Sequence, residues 1–383
     1  MPRLVTSFDR SPCHPARTRQ QSHTMASDAL HATPILVPVK GIQLPDTRNR
    51  QVVTVSYTPY YAANVDFEGR MYYVMNPEPS VDADVRGAGT SKGHTQYVTS
   101  ISVLSNGYLA SGSNDCTVRI WDTTTGNCVR VIKGHTRGVW TLAVLPNGHL
   151  ASGSVDKTIR IWDTVTGDCV KVLVGHADVV EFLVILPNGQ LASGSADNTI
   201  RIWDTATGGC VLVLEGHTHW VSSLVVLPNG LLASGSEDKT VRIWDTETGH
   251  CLHTFNGHED AVLSLAVLPN GYLASGSADK KVRIWDTSTG RSVRIIKGHT
   301  EDVTSLTVLP TGQLVSGSND PNSNMIRIWN KTAKKCVHEL EGHTDGVLGL
   351  TVLPNGHLVS GSWDRTVRIW DTESGECVRI LGQ

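Results

Sequence analysis

Gly134-His135-Thr136-Arg137-Gly138-Val139-Trp140-Thr141-Leu142-Ala143-Val144-Leu145-Pro146-Asn147-Gly148-His149-Leu150-Ala151-Ser152-Gly153-Ser154-Val155-Asp156-Lys157-Thr158-Ile159-Arg160-Ile161-Trp162-Asp163-Thr164-Val165-Thr166-Gly167-Asp168-Cys169-Val170 is written out seven times in this chain with small changes. Gly-His recurs at Gly93, Gly134, Gly175, Gly216, Gly257 and Gly298 in steps of 41, and at Gly342 after a step of 44. Each copy runs Gly-His, a Val-rich stretch, Leu-Pro-Asn-Gly or a close variant, Leu-Ala/Val-Ser-Gly-Ser, an Asp, and Val/Ile-Arg-Ile-Trp-Asp/Asn. A fixed period of this length is the signature of a repeat architecture.

One unit reads as four short strands. In the first copy these are Val98 to Leu104, Tyr108 to Ser113, Cys116 to Trp121 and Cys128 to Ile132, separated by turn residues such as Asn106-Gly107 and Thr123 to Asn127. Apolar positions alternate or run together over a few residues, and turns come too often for a helix. A four-stranded sheet with two apolar faces cannot stand alone. Seven packed in a ring bury both faces and protect their edges. The fold class expected is all-β, a seven-bladed propeller of four-stranded antiparallel blades.

Composition agrees. The chain has 383 residues, 18% of them charged, with 36 Gly, 10 Trp and 4 Phe. That is too little charge for a coiled coil and too much glycine for a helical bundle. A net charge of −3 disfavours a protein held on nucleic acid by bulk charge. No apolar run approaches the roughly 18 residues that cross a bilayer. Cys128, Cys169, Cys210, Cys251, Cys336 and Cys377 occupy one slot of the repeat, with Ser292 in the seventh. Equivalent positions point the same way, so these cysteines read as small apolar residues and not as a disulfide framework. That favours a reducing compartment, the cytoplasm first, with the nucleus as the alternative.

The units resemble WD repeats, whose period is about 40–45 residues with a Gly-His…Trp-Asp pattern. The resemblance covers residues 93–383, about three quarters of the chain, and implies a seven-bladed β-propeller. It also implies that four residues per unit form a structural network: His94, Ser111, Asp115, Trp121; His135, Ser152, Asp156, Trp162; His176, Ser193, Asp197, Trp203; His217, Ser234, Asp238, Trp244; His258, Ser275, Asp279, Trp285; His299, Ser316, Asp320, Trp329; and His343, Ser360, Asp364, Trp370. A Ser/His/Asp set invites a hydrolase reading. A nucleophile is needed once and not seven times, and no Gly-x-Ser-x-Gly elbow is present. The seven histidines lie one per blade and cannot converge on a metal. Neither a catalytic residue, a metal nor a cofactor is expected. The Arg two places before each Trp shares a strand face with it, so stacking within the blade is expected rather than phosphate binding.

By analogy with the family, each unit exposes three variable positions on one face. These flank the first Val of strand one or precede the network Asp. They yield Tyr97, Trp140, Glu181, Trp220, Glu237, Leu263, Leu348 and Trp363 as candidate partner-binding residues. Leu348, Trp363, Tyr97 and Trp140 are expected to form one patch over units seven, one and two, with Glu181 and Glu237 opposite. The alternative is that these side chains fill the mouth of the central channel.

Unit six departs most. Pro321-Asn322-Ser323 lengthens the turn after Asp320, and Asn330 stands where the others have Asp. Residues 1–34, Arg-rich and acid-poor, read as disordered or as an artefact of the start site, since Met25 is a second candidate start. Residues 35–92 read as a β-rich extension and linker, with strands at Ile35-Leu36-Val37, Gln51 to Tyr57 and Arg70 to Met75. Blade seven already has a fourth strand at Cys377 to Leu381, so strand exchange need not close the ring. The function expected is a non-catalytic scaffold for a protein or peptide partner, monomeric within a complex, without nucleic acid or membrane. The alternative is a substrate-recognition adaptor for a larger enzyme such as a ubiquitin ligase.

Overall fold

β-branched residues at alternate positions, cut off by turn residues every few positions, give each repeat four strands. A computed structural model describes residues 93–320 and 326–381, and the backbone alone of residues 62–65 and 71–74. Blade 1 comprises Val98–Val103, Leu109–Ser113, Thr117–Trp121 and Cys128–Lys133. The pattern repeats through blade 7, made of Val347–Val352, Leu358–Ser362, Val367–Trp370 and Cys377–Leu381. In every blade the four strands pair antiparallel in chain order. The strands begin slightly later than expected at two places. Tyr108 precedes its strand, and Cys116 sits in a turn with φ of 66°, a left-handed conformation that a strand cannot contain.

The Leu-Ala-Ser-Gly-Ser strands are buried on both faces because their residues are small and the next blade lies on top of them. A Cβ at Gly112 would stand 2.8 Å from Val139 Cγ1, the first residue of blade 2's inner strand. Core clusters therefore straddle neighbouring blades. Ile159, Ile161 and Leu173 of blade 2 pack with Val180, Leu183, Leu191 and Trp203 of blade 3. Burying a side chain of this size is worth roughly 1.5–3 kcal/mol.

The ring closes through the same interface. Leu353, Val359, Val367, Ile369 and Leu381 of blade 7 pack with Val98, Ile101, Leu109 and Trp121 of blade 1. Arg379 of blade 7 donates to the Thr124 carbonyl of blade 1, as Arg130 of blade 1 does to the Thr166 carbonyl of blade 2 at 2.6 Å. All four strands of blade 7 come from its own repeat. Face packing, and not an exchanged strand, is the latch.

The six cysteines of the repeat slot are free thiols. The chain divides into two units, residues 1–85 and 86–383. In the first, Ala62–Val65 pairs antiparallel with Met71–Val74. The second of these strands falls inside the expected 70–75. The first was not foreseen, since Ala-Ala-Asn is a weak strand former. The strands expected at 35–37 and 51–57, and the expected disorder of residues 1–34, lie outside the described residues. Among the described residues, no helix is long and apolar enough to cross a membrane.

Candidate functional site

The four recurring residues meet in every blade, and in six blades they share one geometry. In blade 2, Trp162 Nε1 donates to Ser152 Oγ at 2.7 Å, and Ser152 Oγ lies 2.7 Å from His135 Nε2. His135 Nδ1 lies 2.8 Å from Asp156 Oδ2. Only one proton arrangement satisfies every member: the indole donates to the hydroxyl, the hydroxyl to Nε2, and Nδ1–H to the carboxylate. Asp156 also accepts from the backbone N–H groups of Thr136 and Thr158, each at 3.0 Å, and from the Thr158 hydroxyl at 2.6 Å. The carboxylate thereby fastens the His-bearing loop to the turn before the third strand. Burial works to raise the pKa of Asp115 and Asp364, but hydrogen bonds and charge from His94 and His343 outweigh it and hold both at about 2.

The connectivity is that of a catalytic triad, but the environment is not. Ser152 is 0% exposed and its oxygen is already engaged by the indole, so no substrate carbonyl can reach it. The same holds for the other network serines. The arginines turn inward within their blades. Arg160, Arg283 and Arg368 lie 5.9, 5.9 and 6.0 Å from the ring centroids of Trp162, Trp285 and Trp370.

Blade 6 breaks the pattern at one point. His299 and Trp329 keep their bonds to Ser316, at 2.6 and 2.8 Å, but Asp320 accepts from the Thr300 hydroxyl in place of His299 Nδ1. Burial, with the nearby Arg327 charge, pushes His299 down to about 3, against the pull of Asp320.

The variable positions are wired to one another. The residue before each network Asp donates its N–H to the carbonyl of the residue before strand one: Val155 to Gly138 at 3.0 Å, Ala196 to Val179 at 2.9 Å and Glu237 to Trp220 at 3.0 Å, with the same link in the other blades. The position after the first Val divides into two kinds. Thr99, Ser222 and Thr304 each donate a hydroxyl hydrogen bond to the first-strand carbonyl of the next blade, at Val139, Val262 and Val347, and so clamp blades together. Trp140, Glu181, Leu263 and Leu348 occupy the same position in the other blades and cannot act in that way.

Of the expected patch over blades 7, 1 and 2, Tyr97 and Trp140 are in contact. Tyr97 is buried, its ring edge-on to Trp140 at 6.5 Å and 88°. From there the apolar surface continues in the opposite direction. Trp140 and Trp220, both half-buried, pack on one cluster made of Val155, Val179 and Ala196. Trp220 therefore joins Trp140 across blade 3, and does not stand apart from it. The reason is blade 3 itself, whose Val179 and Ala196 are small and apolar and let two large indoles reach a common floor. Leu348, Leu263 and Trp363 are half-buried and lie outside this cluster. A Cβ at Gly346 would meet Asn319 at 2.3 Å and Trp363 at 3.3 Å, so Trp363 lies against the backbone of its own blade. None of the eight candidates is fully exposed; seven are half-buried and Tyr97 is buried.

An acidic arc begins where the aromatic one ends. His219 Nδ1 pairs with Glu237 Oε2 at 2.9 Å, and its ring leans on Trp220 at 5.7 Å. Burial raises the pKa of Glu237; the His219 charge opposes this and Asp260 adds to it. Asp302 of blade 6 is pushed up to about 6 by burial and by the charges of Glu301 and Asp260, against Lys280. Glu181, placed with Glu237 by the sequence, is half-buried on the first strand of blade 3. His219 and Asp260 lie outside the three positions per unit, so reading by position passed over them. The available signal was the acidic pairs Glu259-Asp260 and Glu301-Asp302 opening blades 5 and 6. Among the described residues, no three His, Cys, Asp or Glu side chains converge as metal ligands would.

Comparison with known proteins matches the repeats and little else. A family model described as WD domain, G-beta repeat fits residues 88–122, 126–163, 167–204, 208–245, 249–286, 290–330 and 334–371. Ribosome biogenesis protein BOP1 homologs are similar over one short stretch. The Drosophila virilis protein is 46% identical over 59 residues, 15% of this chain and 7% of that protein. The Drosophila persimilis protein is 48% identical over the same length and shares. The match thus spans a small fraction of those relatives.

Proposed function

Because the chain belongs to the WD40 repeat family, we propose that it is a non-catalytic interaction scaffold that receives a protein or peptide partner on the loop face around the channel mouth. The observation that carries this reading is the arc of Tyr97, Trp140 and Trp220 over Val155, Val179 and Ala196. Half-buried indoles on an apolar floor are the side chains that most often dominate a binding energy. Other blades fill the same positions with residues as different as Gly, Thr, Glu and Leu, so the fold itself does not require tryptophan there.

Ribosome biogenesis is the role named for the similar proteins, and a match of 46% identity over 59 residues brings it here only as one setting in which to seek the partner. The proposed compartment, cytoplasm or nucleus, rests on the free slot cysteines.

The test is affinity capture with cross-linking, using Trp140→Ala, Trp220→Ala and Trp363→Ala. Trp140→Ala and Trp220→Ala should release the same partner, each weakening it about 30-fold or more, with the melting temperature nearly unchanged. A partner lost only in Trp363→Ala places the site on blade 7. Retention of every partner by all three variants removes the loop face as the site.

A further inference from the structure

The aromatic arc is half of a larger surface. Glu237 is bonded through its backbone N–H to the Trp220 carbonyl, so the last indole and the first carboxylate are held side by side. Glu237, Asp260 and Asp302 then follow on three successive blades, close enough for Asp260 to act on both of the others. Together the two arcs offer an apolar seat followed by a run of half-buried negative charge.

We propose that this surface takes a basic peptide segment of a partner protein, seating an aromatic or aliphatic side chain on Trp140 and Trp220 and its Arg or Lys side chains on Glu237, Asp260 and Asp302. The proposal rests on the scaffold reading above and specifies the chemistry of the partner. Charge complementarity carries it. Nucleic acid and acidic segments would bring phosphate or carboxylate against this arc, and a purely apolar segment would leave the carboxylates without use.

The arc also works against the fold. Like charges have been placed close together in a half-buried setting, where ionisation is disfavoured. A stable ring does not need that arrangement, and strain of this kind gathers at functional sites. A bound guanidinium or ammonium would relieve it. The groups that face Asp302 are Glu301, Asp260 and Lys280, and Lys280 is held by Glu301 at 3.0 Å. Those that face Glu237 are His219 and Asp260. As pH rises from 5.5 to 7.5, Asp302 ionises. That makes the arc more negative, so a cationic partner should bind more tightly at the higher pH.

The test is selection of a random 12-residue peptide library displayed on phage against the full chain, followed by titration of fluorescein-labelled winners. Selected peptides should be enriched in Arg or Lys near Phe, Trp or Leu. Glu237→Gln, Asp302→Asn and Trp220→Ala should each weaken them at least tenfold, and affinity should rise between pH 5.5 and 7.5. Binding lost in Trp220→Ala but kept in both charge variants, without a pH dependence, sinks the basic partner and leaves the scaffold reading standing. Winners indifferent to all three variants and to Trp140→Ala overturn both. A single-stranded RNA oligonucleotide that binds the chain and is released by Trp220→Ala overturns the choice of partner.

Discussion

Blade 6 and the other six blades start from the same four residues and end differently. In the six, the Asp carboxylate bonds His Nδ1 at 2.7 to 2.9 Å. In blade 6 the carboxylate turns to the Thr300 hydroxyl, yet Ser316 still holds both His299 and Trp329. The network is therefore two devices. The Trp–Ser part is positioned by paired strands, and the His on its loop keeps its bond to that serine in all seven blades. The Asp part is positioned by a turn, in which the next residue takes a left-handed conformation, φ of 66 to 72° at Cys116, Lys157, Asn198, Lys239, Lys280 and Arg365. In the sequence Pro321 stands where the other blades carry that residue.

The largest expected effect tests this division directly. Asp156→Ala strips His135, Thr136 and Thr158 of a shared acceptor and should cost roughly 2–3 kcal/mol. At about 2–4 °C per kcal/mol the melting temperature should fall by several degrees. Asp320→Ala should cost less, because in blade 6 the carboxylate accepts from the Thr300 hydroxyl and not from His299. Equal losses in thermal melts of the two variants would refute the separation. The reverse experiment is to restore the turn. Replacing residues 321–325 with Lys-Thr gives blade 6 the spacing of its neighbours and should raise the melting temperature by about 3–12 °C, the worth of one recovered hydrogen bond to a charged group. Acquisition of the His299–Asp320 bond should appear as a downfield Nδ1 proton in NMR spectra.

Most of this molecule could be read from its repeats because each copy checks the others. The period, the strands, the free slot cysteines and the inward arginines follow from positions shared by all seven copies. The site was harder, for a physical reason. Its residues are defined by contact between blades, and a list of positions carries no distances. Gly138 shows this: a Cβ there would stand 2.3 Å from Asn114 Oδ1 of the preceding blade. The same step between blades seats Trp220 over Ala196 and Val179 beside Val155. The sequence held both members of each pair, but nothing in it said that Trp140 and Trp220 share a floor. Asp302 and Asp260 were also in plain view, but their coupling depends on burial.

A pH scan gives a smaller effect and again singles out blade 6. The folded pKa of His299, about 3, lies below the ordinary 6.5. The folded state thus resists protonation, and the stability is full above pH 6.5 and lost as pH falls toward 3. Asp115 and Asp364, held at about 2, begin to contribute to acid loss only below their ordinary 3.8. Between pH 6.5 and 4 the loss from His299 as pH falls is opposed by Asp302, whose raised pKa makes it stabilising toward low pH, so the histidine effect is read from the difference between variant and wild type. His299→Gln, which can still bond Ser316, should show a shallower decline of melting temperature across that interval than the wild type, and an unchanged slope would mean that His299 is not held neutral by its surroundings. His217, also lowered, by burial, leaves part of the decline in place.

The smallest effect has the opposite sign and links the blade to its use. Asp302 has its folded pKa raised to about 6 from 3.8. Its contribution to stability is full below pH 3.8 and lost as pH rises through 6, so at pH 7.5 the fold carries an ionised carboxylate among Glu301 and Asp260. Asp302→Asn removes that charge and keeps the shape. It should raise the melting temperature at pH 7.5 by about 1–2 °C and give no gain at pH 4. The same variant is expected to lose a cationic peptide at least tenfold. Gain in one measurement and loss in the other would mark Asp302 as a residue kept for binding at the expense of the fold. A variant that gains stability equally at pH 4 and pH 7.5 would mean the carboxylate is strained by shape and not by charge, and the comparison between blade 6 and its neighbours would then rest on the Asp320 turn alone.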